Sequence, residues 1–107
     1  MILRVFQVTT QPGKAADFAA FFHDTAVPLM LSVDGLLAVL PGAARHETPD
    51  AFAFVMLWRD LDALKAFVGE DYASPHIHAD EAALVAARSI THYDQVEEGA
   101  KGLVLGA

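Results

Sequence analysis

The run His76-Ile77-His78, followed at once by Asp80 and Glu81, is the densest group of titratable side chains in this sequence. Histidines at i and i+2 point the same way when the backbone is extended. Imidazoles with nearby carboxylates suit Zn or Fe, and a third ligand would come from His23, His46 or His92. A lone imidazole titrates near neutrality, so His76 also fits a general base lining a pocket. The other reading of the same residues is a solvated loop.

Other polar residues stand on apolar segments. Gln7 interrupts an apolar strand and could orient a substrate hydroxyl or carbonyl, or pair with backbone. Arg4 falls on the other face of that strand, as an interface ion pair or a ligand contact. Trp58, the only tryptophan, ends an apolar run and is either core or the wall for a flat aromatic molecule. Phe22, Phe54 and Phe67 carry the same two readings. Tyr72 precedes His76 in a loop and could close over a ligand. His92 and Tyr93 are adjacent on a strand, so only one of them can face a given pocket. No Gly-rich phosphate loop, dinucleotide fingerprint or Gly-x-Ser-x-Gly elbow occurs, so nucleotide cofactors and serine-triad chemistry have no recognisable site.

These residues need a framework, and 107 residues supply one compact domain. Hydrophobic residues make up 54% and charged ones 20%, which excludes disorder and exceeds what one helix layer over one sheet readily buries. A second buried surface, at a homodimer interface, is expected. The formal charge is −7 and the basic residues are scattered, so nucleic acid is not an expected partner. The chain has no cysteine and no apolar run approaching the roughly 20 residues of a membrane span. A soluble, cytoplasmic protein is expected.

Ile2 to Thr10 reads as a strand with both faces largely apolar, hence covered on both sides. Lys14 to about Val33 reads as a helix whose face is Phe18, Phe22, Leu29 and Val33, kinked at Pro28. Leu36–Leu40 is a second strand disturbed at Pro41-Gly42, and Ala51–Trp58 a central third one. Asp60 caps a helix that Gly69 stops. A short helix over 81–87 precedes a last strand over 88–96, and residues 98–107 form a tail beyond the domain of residues 1–97. The order predicts an α+β protein with a ferredoxin-like split β-α-β antiparallel sheet. Its second apolar face predicts pairing of two sheets into a dimeric α/β barrel.

The passage Trp58-Arg59-Asp60-Leu61-Asp62-Ala63-Leu64-Lys65-Ala66-Phe67 resembles the W-x-D-x-x-A-L-x-A-F/H signature of the antibiotic biosynthesis monooxygenase family. Gly69-Glu70-Asp71-Tyr72, Ala73-Ser74-Pro75-His76 and Thr91-His92-Tyr93 are similar to that family too. So are Gln11-Pro12-Gly13-Lys14 and Val27-Pro28-Leu29-Met30. The likeness spans roughly residues 1 to 97 and implies the dimeric barrel. Its haem-degrading branch carries Asn, Trp and His at positions that fall on Gln7, Phe67 and His76, and only the histidine matches. Haem degradation is therefore not expected, whereas haem or a metal through His76 and His78 stays open.

Two functions follow from the resemblance. One is a monooxygenase for a phenolic or quinol-like aromatic, needing no cofactor. In it His76 is the base and Gln7 the orienting group, while Trp58, Phe67, Phe22, Tyr72 and His92 line the substrate. The other is a non-catalytic dimer that binds a small hydrophobic molecule or haem.

Overall fold

A computed structural model describes residues 1–74 and 82–96. Its strands are β1 (Ile2–Thr10), β2 (Leu36–Gly42), β3 (Ala51–Trp58) and β4 (Val85–Asp94). Its helices are α1 (Ala15–Phe21), α2 (Val27–Leu31) and α3 (Leu61–Val68), with a π turn at Phe22–Ala26 joining the first two. The strands form one antiparallel sheet in the order β2-β3-β1-β4, the split β-α-β arrangement expected.

Register decides what each face carries. On one side the transverse rows are Asp94-Ile2-Trp58-Leu36, then His92-Arg4-Met56-Val39, then Ile90-Phe6-Phe54-Pro41. The helices cover this side: Phe6, Val8, Phe52, Met56 and Trp58 pack with Phe18, Phe22, Met30, Ala63 and Leu64 in the core. On the other side the rows are Tyr93-Leu3-Leu57-Ala38, Thr91-Val5-Val55-Leu40 and Ser89-Gln7-Ala53-Gly42. No helix of the chain lies on that side among the described residues, so Gln7 and Thr9 are exposed rather than covered.

Three local features differ from the expectations of periodicity. The helix after β1 contains a π turn, closed by the Val27 N–H donating to the Phe22 carbonyl five residues back. The extra residue rotates the next turn, so Met30 is buried at 9% exposure while Leu29, expected in the core, is 48% exposed. Pro28 follows directly on that wide turn, in the first turn of α2, and has no N–H to continue the ladder. Second, β4 begins at Val85, where a helix reaching residue 87 was expected. The β1 ladder, with Ala87 opposite Thr9 and Val85 opposite Thr10, outweighs the helix propensity of the alanines. Third, the irregularity of β2 lies between Leu36 and Ala38, and Pro41 is tolerated because β2 is an edge strand.

The capping of α3 is as expected. Asp60 is extended and its Oδ1 accepts the Ala63 N–H at 2.8 Å. That bond, aided by Arg59, holds the Asp60 carboxyl below its usual range. Gly69 ends the helix at φ +93°, its N–H donating to the Lys65 carbonyl.

Gly35 fixes the approach of α3 to the sheet. Its φ is +82°, its carbonyl accepts the Arg59 N–H at 2.8 Å, and an added Cβ would lie 2.5 Å from the Ala63 Cβ. Gly35→Ala combines left-handed strain with overpacking, so a loss of about 2–4 kcal/mol is expected. Urea unfolding checks this: the midpoint should fall with the slope unchanged.

Candidate functional site

The ends of β1, β3 and β4 that meet at the Trp58 row bring the chemical residues together. Trp58 is fully buried and stacks on Phe67 of α3, the ring centroids 5.6 Å apart and the planes 29° apart. Phe67 is itself 39% exposed and borders a cleft of about 590 Å³ that runs past Arg59, Asp60 and Asp34. The Trp58 Nε1–H is buried with no hydrogen-bond partner among the described residues. Such a donor costs about 1–3 kcal/mol when left unpaired.

One row inward, Arg4 is 5% exposed on the helix-covered side. Its Nη1 donates at 2.9 Å to the Tyr72 carbonyl and lies 2.9 Å from His92 Nε2. A guanidinium has only donors and stays protonated, so His92 Nε2 must accept and the ring proton sits on Nδ1. The Tyr72 ring stands edge-on to His92, centroids 5.2 Å apart, with the Lys65 ammonium 5.8 Å from the Tyr72 centroid. Burial first, and the Arg4 charge second, hold the His92 pKa below its ordinary value of 6.5. Burial also lowers that of Arg4. No described carboxylate makes an ion pair with Arg4.

The residues singled out from sequence thus separate into groups. Tyr72 and His92 contact Arg4, and Trp58 and Phe67 form a stacked pair on the same side of the sheet. Phe22 lies towards the other end of that side, its ring 4.4 Å from Phe54 and 5.7 Å from Phe52 in an aromatic cluster with Phe18. Gln7 is on the opposite side, where its Oε1 accepts from Ser89 Oγ at 3.3 Å beside a cleft of about 340 Å³. Tyr93 shares that opposite side and is exposed. His76 and His78, with Asp80 and Glu81, lie outside the described residues.

The other histidines are dispersed: His23 pairs with Asp24 and His46 with Glu47, both at the surface. Among the described residues no group of three or more His, Cys, Asp or Glu side chains is placed to hold a metal. Arg4 is the site residue whose role the sequence leaves undecided. Its signal there is a charge at an alternating position among Ile2, Phe6 and Val8, the side that proves covered. Chemically, the group offers aromatic surface and the hydrogen-bond donors of Arg4, His92 and Trp58. No helix among the described residues is long and apolar enough to cross a membrane.

The family described as antibiotic biosynthesis monooxygenase matches residues 1–79 of this chain. A solved structure of a proposed antibiotic biosynthesis monooxygenase from Deinococcus radiodurans superposes with TM-score 0.73 at 17% identity, over 97% of this chain and 99% of that one. Another from Caulobacter crescentus gives 0.65 at 29% identity, over 89% of each chain. Protein PA3566 from Pseudomonas aeruginosa gives 0.69 at 18% identity, over 89% of this chain and 93% of that one. Among proteins of curated function none matches significantly.

The depressed pKa of His92 makes stability depend on pH. The unfolded imidazole takes up its proton near pH 6.5, the folded one only at lower pH. His92's contribution is therefore fully present above about pH 6.5 and is lost as pH falls through the folded-state value. NMR titration should show His92 titrating below its ordinary value of 6.5, with the neutral form protonated on Nδ1. Arg4→Gln should move its midpoint upward.

Proposed function

This chain belongs to the antibiotic biosynthesis monooxygenase family, and we propose that it is a small monooxygenase acting on a phenolic or quinol-like aromatic. The observation that carries this reading is the placement, on one side of the sheet, of the Trp58–Phe67 stack and of Tyr72 and His92 in contact with the buried Arg4. Structures carrying the same description in other organisms support the reaction class.

The substrate supplies the electrons, so no cofactor is required. Deprotonation of the phenol raises the ring's electron density enough for it to reduce O₂. A ring C–H para to the hydroxyl becomes C=O, one oxygen atom enters the product quinone, and the other leaves as water. Four electrons pass from substrate to O₂, and the phenolic proton and the ring hydrogen end in that water. The protein's part is to bind the ring beside Phe67, which Trp58 backs, to remove the proton and to keep bulk water away. In this scheme His76 is the base, while Phe22 and Gln7 stand apart from the ring-binding group and act only indirectly.

The test is oxygen uptake by the purified protein with a panel of phenols and quinols and no reductant. Uptake at a stoichiometry of one O₂ per quinone is expected, lost in His76→Ala with the circular dichroism spectrum kept. Binding of these aromatics with no uptake would sink the reading and leave a ligand-binding barrel.

The second apolar side of the sheet supports a homodimer. Leu40 and Tyr93 there are 53% and 54% exposed, in rows with Leu3, Val5, Val55 and Leu57. Sedimentation should give a dimer for the native chain and a monomer for Leu40→Asp, a surface change that spares the core. A native monomer would contradict the barrel.

A further inference from the structure

Arg4 uses a single nitrogen to tie three distant parts of the chain together. Its Nη1 carries two hydrogens, and two acceptors stand 2.9 Å away, the Tyr72 carbonyl and His92 Nε2. Tyr72 lies in the turn over residues 69–74 that follows α3, and its ring meets the His92 ring edge-on. The turn's other hydrogen bonds among the described residues are local. Ser74 bonds to Asp71 through its N–H and its hydroxyl, and the Gly69 N–H donates to the Lys65 carbonyl. The hydrogen bond from Arg4 is thus what joins this turn to the sheet, braced by the contact of the two rings.

We propose that Arg4, His92 and Tyr72 form a proton-operated latch on this turn, closed while His92 is neutral and opened when His92 takes up a proton. A neutral imidazole accepts at Nε2, whereas an imidazolium carries an N–H there. Protonation therefore sets two donors and two positive charges against each other across 2.9 Å. One side chain must give way. Arg4 is buried on β1, which has a strand on either side, whereas His92 is half-buried on the edge strand β4. His92 is the one that swings towards solvent, and the Tyr72 ring loses the edge it rests on.

The charges around His92 come from each neighbouring element. β1 supplies Arg4, and α3 supplies Lys65, which lies 5.8 Å from the Tyr72 ring centroid and pairs with Glu70 of the turn. The turn also carries Asp71, which accepts from the Ser74 hydroxyl. On the same side of β4 stand Arg88 and Asp94. Asp94 has no ion pair among the described residues, so its carboxylate offers the outward imidazolium a second position. In the closed position, burial and then the Arg4 charge disfavour the imidazolium. The latch is accordingly closed above the folded-state midpoint of His92, which lies below 6.5, and open beneath it. It needs no substrate and stands apart from the monooxygenase reading.

NMR of the native protein, followed from neutral pH downwards, tests the latch. The NOE between the Tyr72 and His92 rings should be lost with the midpoint of the His92 titration. Amide exchange over residues 69–74, corrected for its intrinsic pH dependence, should quicken in the same step. Amide protection along β1 and β3 should stay unchanged through it, because the core remains folded. In His92→Gln a side-chain carbonyl that does not titrate can accept from Arg4, so exchange in the turn should lose its pH step. An NOE that survives protonation of His92 would overturn the latch, and so would a pH step kept in His92→Gln. Loss of β1 and β3 protection in the same step, or before His92 titrates, would overturn it in favour of global acid unfolding. The NOE and the protection are read on native protein, so they decide the matter even if His92→Gln does not fold.

Discussion

The register of β1 against β3 is the constraint on which the rest of this structure depends. With Ile2 opposite Trp58 and Arg4 opposite Met56, every aromatic residue of β3 is turned towards the helices. A slip of β3 by one residue would carry Trp58, Phe54 and Phe52 to the side away from the helices and turn Ala53, Val55 and Leu57 towards them. Several features hold the register in place. Gly35 brings the start of β2 and the start of α3 together, and Asp60 starts α3 directly after β3. Phe67 then stacks on Trp58 from above, so the helix and the strand end are set relative to each other by one aromatic contact.

The same register explains which parts of the site were legible in sequence. Alternation along β1 separates Leu3, Val5 and Gln7 from Ile2, Arg4, Phe6 and Val8 without any structure. It does not say which set the helices cover, because both are mostly apolar. Gln7 and Trp58 could therefore be read as neighbours, although they prove to lie on opposite sides of the sheet. Arg4, on the set that proves covered, carried no local sign of its partners, which come from 68 and 88 residues further along the chain. The cap at Asp60 and the stop at Gly69 were legible for the opposite reason. Both are made with residues within four positions.

The helix after β1 shows how a single inserted residue defeats periodicity. Phe18 and Phe22 sit one turn apart, as an α-helix requires, and their rings are 5.8 Å apart. Continuing the same count reaches Leu29, but the wide turn over Phe22–Ala26 moves the buried position to Met30. Pro28 marked this region for disturbance without telling a kink from a π turn. The consequence for function is spatial. Phe22 is drawn into the Phe52–Phe54 cluster and away from Trp58, so the aromatic residues form two groups along one side of the sheet.

Those two groups differ in the polar atoms they contain, and that difference argues for their roles. Around Phe22 the rings of Phe52 and Phe54 stand edge-on and that of Phe18 is stacked, as in a packed core. Around Trp58 the same sheet side holds a buried guanidinium, a buried indole N–H and the half-buried imidazole of His92. Apolar residues at positions 4 and 92 would pack against Met56 without desolvating a charge. Stability alone therefore does not explain the polar group, in which the acceptors of Arg4 among the described residues are one carbonyl and one imidazole.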